Sequence, residues 1–150
     1  MSTPPLCTWT EDVRDEWIDY NGHLSEAYYV LVLGHATDDV MSAVGLGPSY
    51  RSSADASLFT VEAHIRYLDQ VSAGERLEVR SWVIGASSKL LWIWHELYAA
   101  DTLRATEEIL GLHVVGDPPA SAAFPDPVAA TIHRALTPPP AHASRAIRVG

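Results

Sequence analysis

The stretch "WIDYNGHLSEAYYVLVLGHATDDV", residues 17–40, decides the fold of this chain. It opens on a polar cluster, with Asp19, Asn21 and His23 at alternate positions and Gly22 between the last two. It then runs into a long apolar segment. Ser25 suits the N-cap of a helix, and Glu26 places a negative charge in the first turn, where the helix dipole favours one. Tyr29, Leu33, Ala36, Val40 and Val44 recur at helical spacing and define one face. Tyr28, Leu31 and Val32 widen that face, so the first half is apolar nearly all round and is expected to be buried. Gly45, Gly47 and Pro48 mark the end of the helix.

Working outward, "LCTWTEDV" at 6–13 alternates apolar and polar residues and reads as a short strand. "PSYRSSADA" at 48–56 reads as a loop. Four strand-like segments follow, at 57–69, 75–85, 89–99 and 103–115. In the first, Val61, Ala63, Ile65 and Tyr67 share one face, and Glu62, His64 and Arg66 the other. Turns separate the segments, which predicts consecutive antiparallel neighbours. One helix among five strands predicts an α+β fold, a five-stranded antiparallel sheet wrapped around one long central helix. "LLWIW" at 90–94 is apolar on both faces, which implies a covered outer face. A second copy of the chain is the expected cover, so a homodimer or a dimer of dimers is predicted. Residues 1–116 form the expected domain. Residues 117–150 hold most of the ten prolines and read as a tail over the surface, with one short helix at 127–136.

Composition narrows the function. The chain has 150 residues, enough for one domain, and 47% of them are hydrophobic. A net charge of −9 with scattered cations argues against nucleic acid as a partner. Cys7 is the one cysteine, so no internal disulfide forms, which fits a reducing compartment. It reads as a small buried hydrophobe. The N-terminus lacks the pattern of a signal peptide. The longest apolar run, "AYYVLVLG", is far shorter than the roughly 20 residues that span a bilayer. A cytoplasmic location with no membrane partner is expected. His35 with Asp38 or Asp39 has metal-ligand spacing but no third ligand, so neither a metal nor another cofactor is expected.

"DYNGH" before the helix and "HIRYLDQVSAGERLEVRSWVIG" after it resemble the acyl-CoA thioesterases related to 4-hydroxybenzoyl-CoA thioesterase, which have the hot-dog fold. "WIDYNGHLSEAYY", "TVEAHIRYL" and "HELY" resemble one branch, the betainyl-CoA thioesterases, including the thioesterase-like domain fused to some carnitine dehydrogenases. The resemblance runs from about Trp9 to Val115. It implies hydrolysis of an acyl-CoA with a short or polar acyl group, with betainyl-CoA leading, in carnitine metabolism and without a cofactor. Asp19 matches the aspartate that attacks the thioester or activates water. Asp19, Asn21 and His23 together match an Asp-x-Asn-x-His motif in plant acyl-carrier-protein thioesterases. The backbone N–H that polarises the carbonyl falls near Glu26. Hot-dog sites resemble clefts shared by two chains, which would let Glu62 serve the partner's Asp19 region.

Chemistry supports this placement. A carboxylate can serve as nucleophile or base. Free N–H groups at a helix start suit an oxyanion. His23 can orient water or deliver a proton, and Asn21 can hold a water or the carboxylate. Trp17, Tyr28 and Tyr29 flank the site, and aromatic faces attract a quaternary ammonium. Arg66 is a candidate for the CoA phosphates, together with Arg51, Arg76, Arg80 and Lys89.

A blander reading makes Asp19 and Asn21 turn formers. It makes Glu62, His64 and Arg66 a solvated or intersubunit face, and Trp92 and Trp94 packing residues. One rival function is a hot-dog (R)-enoyl-CoA hydratase, whose motif resembles Asp-x-Asn-Pro-x-His. Here Gly22 stands where proline would, and His23 comes one residue early. The other rival is a non-catalytic acyl-CoA-binding protein.

Overall fold

The computed structural model describes residues 3–141, 143, 146 and 147. In chain order the elements are β1 (Cys7–Asp12), a single 3-10 turn (Asp15–Trp17), α1 (Glu26–Ala43), α2 (Pro48–Ala54), β2 (Ala56–Tyr67), β3 (Arg76–Ala86), β4 (Leu90–Ala99), β5 (Thr102–Val115), β6 (Ala120–Ser121) and α3 (Asp126–Ala135). The strands form one antiparallel sheet in the order β1-β3-β4-β5-β2, with β6 added on β5.

Alternation builds the core. Leu77, Val79 and Val83 of β3, with Leu91, Ile93 and Leu97 of β4, point to the same side and are fully buried. They pack with Val32, Leu33, Ala36 and Val40 of α1. Each such side chain stabilises the fold by roughly 1.5–3 kcal/mol. Gly111 of β5 makes room for Leu58 of β2, since a Cβ there would lie 2.6 Å from Leu58 Cδ2.

Four expectations change. α1 is wrapped on one side only, because Val30 and Leu31 stay exposed. The apolar run was wider than the face one sheet can cover. Residues 48–54 are a short helix, with Pro48 in its first turn, where the missing N–H costs nothing. β2 does not neighbour β3. It pairs with β5 at the other end of the sheet, and the connection carries the fully buried Val71 past the start of α1, where its carbonyl accepts the Leu24 N–H at 2.8 Å. Finally, Phe124, Val128 and Ile132 enter the core beside Val40 and Val44, so this part of the tail is not a surface wrap.

The outer face is covered in part by the chain itself. Glu108 is fully buried there and accepts the Trp92 indole N–H at 2.9 Å and the backbone N–H of Ala146 at 2.6 Å. Trp82 donates its indole N–H to the Thr3 carbonyl at 3.0 Å. The apolarity of "LLWIW" therefore does not by itself require a second copy.

A polar cluster sits inside the core. His95 is fully buried, with Nε2 2.8 Å from Thr37 Oγ1 and Nδ1 2.7 Å from Ser81 Oγ. Thr37 donates its hydroxyl to the Leu33 carbonyl, so it accepts from His95 Nε2–H. Ser81 then donates to Nδ1, and the ring is neutral and satisfied. Burial pushes the imidazole down to about 3 from 6.5. The unfolded chain takes up a proton near pH 6.5 and the folded one does not, so this group costs stability progressively as pH falls below about 6.5. His95→Leu should cost about 1–3 kcal/mol at neutral pH by leaving the Ser81 hydroxyl without its acceptor and Thr37 Oγ1 without its donor. It should also flatten the loss between pH 6.5 and 5. Urea unfolding at both pH values checks this, and an unchanged pH slope in the variant would contradict it.

Candidate active site

The "DYNGH" segment folds as a tight turn. Gly22 N–H donates to the Asp19 carbonyl at 3.0 Å, and Asp19 N–H to the His23 carbonyl at 2.9 Å. Gly22 has φ +81°, which glycine adopts without strain and proline cannot adopt at all. The loop of the rival hydratase motif, with proline at that position, therefore cannot take this conformation. The Asp19 carboxylate accepts the Asn21 backbone N–H at 2.8 Å through Oδ1. The turn-forming role is thus real, and it also orients the carboxylate. Asn21 is exposed; Asp19 and His23 are half-buried.

The turn is docked on the start of α1. Ile18 bridges to Leu24 and His23 to Ser72, while Ser25 N–H donates to the Trp17 carbonyl at 3.0 Å. Ser25 is the N-cap of α1, but its hydroxyl makes no capping hydrogen bond. The first N–H groups of the helix, at Glu26 and beyond, thus lack the usual side-chain acceptor. These are the donors that the sequence pointed to.

The aromatic residues divide. Trp17 and Tyr29 are buried in the core, and Tyr28 is half-buried with its ring stacked on Trp17 at 5.5 Å. The Arg14 guanidinium lies 5.4 Å from the Trp17 ring centroid. Glu62 and Arg66 are exposed on the outward side of β2, opposite in parity to Tyr67. Glu62 is also five residues from the β2 end that meets the helix start, about 17 Å along a strand. One chain therefore does not bring Glu62 to Asp19. Of the candidate cations, Arg51, Arg76 and Arg80 are paired with Asp55, Asp12 and Glu78. His35 Nδ1 lies 2.8 Å from Glu11 Oε2.

Two residues at this end of the molecule went unmarked in the sequence reading. Tyr67 donates its hydroxyl to the Glu26 carbonyl at 3.4 Å and meets the Tyr29 ring edge-on at 5.1 Å. Glu107 of β5 pairs with Ile65 of β2 and faces inward. It lines a groove of about 490 Å³ between the open side of α1 and β2, with Val30, Leu31, Thr37, Ile65 and Ile109. Glu107 is 3% exposed, and its Oε1 has no hydrogen-bond partner among the described residues. His95 Nε2 is 4.0 Å away but is already committed to Thr37. Burial pushes the Glu107 carboxyl up to about 8. Alternation carried a signal here, since Glu107 stands between Ala105 and Ile109 on the apolar parity of its strand.

Residues 13–132 match the model of the thioesterase-like superfamily. The betainyl-CoA thioesterase of Pseudomonas aeruginosa is 42% identical over 143 residues, 89% of each chain. An L-carnitine dehydrogenase/betainyl-CoA thioesterase of Ruegeria pomeroyi is 38% identical over 75% of this chain, which spans 23% of that relative. A Staphylococcus aureus protein solved in complex with CoA superimposes with a TM-score of 0.84 at 26% identity, over 95% of this chain and 94% of that one. The fold agrees with these matches, and the chain belongs to the thioesterase-like superfamily.

Proposed function

We propose that this chain, an acyl-CoA thioesterase, hydrolyses betainyl-CoA to glycine betaine and CoA. The observation that carries the substrate is the 42% identity to a betainyl-CoA thioesterase over 89% of both chains. In the reaction, oxygen bonds to the acyl carbon and the carbon–sulfur bond breaks; one proton of water ends on the leaving thiolate, and the other goes to solvent as the product leaves as a carboxylate. Asp19 supplies the carboxylate that attacks or activates water, held by the Asn21 N–H. The developing oxyanion is met by N–H groups of the first turn of α1, at Glu26. His23 and Asn21 border the same turn and orient water. CoA thiolate is a good leaving group, so a strong acid is unnecessary.

The working unit is a homodimer or a dimer of dimers. The long edge strand β2 exposes Phe59 and Val61, and α1 exposes Val30 and Leu31 nearby, so an apolar surface is left for a second copy. The partner's β2 is then the source of Glu62 and of Arg66 toward the CoA phosphates. A reducing, cytoplasmic location suits a chain with one thiol, Cys7. Sedimentation should give at least twice the chain mass of 16.4 kDa, and a stable, active monomer would count against the shared cleft.

Asp19→Asn should lower turnover about 100-fold or more, the scale of one acid–base group, while the fold persists. Near-native turnover would reduce Asp19 to a turn residue. In single-turnover hydrolysis in oxygen-18 water, label in the Asp19 carboxylate marks side-chain attack, and its absence marks activated water. Betainyl-CoA should be preferred over its neutral carbon isostere by about five- to thirty-fold in kcat/KM, the effect of two ring contacts. Equal efficiency on both would leave a thioesterase but remove the betainyl assignment.

A further inference from the structure

Resting on the betainyl-CoA reading, we infer that Tyr67 and Glu107 form the subsite for the cationic end of the acyl group. Tyr67 offers its ring face, and Glu107 stands behind it as counter-charge.

Reach sets the location. In a betainyl thioester the nitrogen is two bonds from the carbonyl carbon, roughly 2.5 Å. A carbonyl held at the Glu26 N–H therefore confines the ammonium to the first turn or so of α1. Val30, the first helix residue of the groove, lies about 6 Å along the axis from Glu26. The groove thus opens where the ammonium must be. Tyr67 lies just beyond the groove's lining residue Ile65, toward the start of α1. It is the next inward residue of β2 after Ile65, and its hydroxyl is tied to the Glu26 carbonyl. The residue is 47% exposed, and its ring meets Tyr29 edge-on. Trp17 and Tyr29 are buried, and Tyr28 is stacked on Trp17, so Tyr67 has the ring surface to offer.

Charge sets the counter-ion. A helix start attracts the oxyanion but repels a cation held a few ångströms away. A nearby anion must offset that repulsion. Glu26 is exposed, so water and salt screen it. Glu107 is buried in the groove, with an oxygen that has no hydrogen-bond partner among the described residues. A buried, unsatisfied carboxyl group calls for an explanation, and a cationic ligand that draws out its ionised form supplies one. Glu26 and Glu107 both act electrostatically on the Tyr67 hydroxyl, which ties the two ends of the subsite together.

A pH signature follows. The Glu107 carboxyl lies at about 8 with the groove empty, so much of it is protonated at neutral pH. An ammonium favours the ionised form, and the proton leaves to solvent. Preference for the cationic substrate therefore rises as pH climbs through this range. The other groups facing Glu107 are His35 and Asp38 on α1, His95 on β4 and Tyr67 on β2. His95 is neutral throughout this range, and the Tyr67 hydroxyl lies above its ordinary 10, raised by burial. Substituting Glu107 isolates its own contribution to the pH dependence.

The test measures kcat/KM for betainyl-CoA and for its neutral carbon isostere, and takes their ratio. Glu107→Gln keeps the shape and removes the charge. It should lower the ratio about tenfold, the effect of removing one desolvated charge near the ammonium. Tyr67→Leu should lower the ratio about two- to fivefold. The native ratio should rise between pH 7 and 9, and that of Glu107→Gln should stay flat. A native enzyme that prefers betainyl-CoA, with both variants keeping its ratio, overturns the subsite alone. A native ratio near one overturns the betainyl reading and the subsite together. Should Glu107→Gln fail to fold, a native ratio that is flat over the same pH range overturns the subsite.

Discussion

The packing of one side of α1 into the concave sheet is the contact on which the rest of the molecule depends. Val32, Leu33 and Val40 are fully buried against alternate residues of β3 and β4. A single sheet can enclose only part of a helix. The same packing that forms the core therefore leaves the Val30–Leu31 side open. It also fixes the direction of α1, so that its unsatisfied N–H groups meet the "DYNGH" turn. Core, groove and helix-start site are three consequences of one arrangement.

The interior polar groups show how this arrangement separates stability from specificity. His95 and Glu107 lie 4.0 Å apart, yet they are not partners. The imidazole spends both nitrogens on Thr37 and Ser81 and stays neutral. That leaves Glu107 beside the groove without a donor. A neutral histidine next to a carboxylic acid forms no strong ion pair, which is the feature the proposed cation subsite rests on. On the outer face, by contrast, Glu108 and Glu96 accept indole N–H groups, from Trp92 and Trp94 respectively. Those carboxylates serve the fold.

Much of this was readable from residues alone. The helix, the five long strands and the turn before the helix follow from apolar periods and from the Asx and glycine residues of "DYNGH". Pairing was not readable, because the turn between β2 and β3 looks like any hairpin until Val71 is seen to pass across the helix start. Periodicity described α1 as apolar all round, and only the sheet's limited width shows that Leu31 is uncovered. The tail misled for another reason. Its prolines suggest irregular chain, but Phe124, Val128 and Ile132 are spaced to fill the end of the core. Asp19, Asn21, His23 and Glu26 are proposed from a motif in the sequence. Tyr67 and Glu107 carry no motif, and only their place on the inner face of the sheet brings them together.

The most direct test of this account is a crystal structure with a non-hydrolysable betainyl-CoA analogue, in which a methylene replaces the thioester sulfur. The account places the acyl oxygen on N–H groups at Glu26, within reach of Asp19, and the trimethylammonium against Tyr67 with Glu107 behind it. An acyl group bound away from the start of α1, or an ammonium turned to solvent with the groove empty, would contradict it.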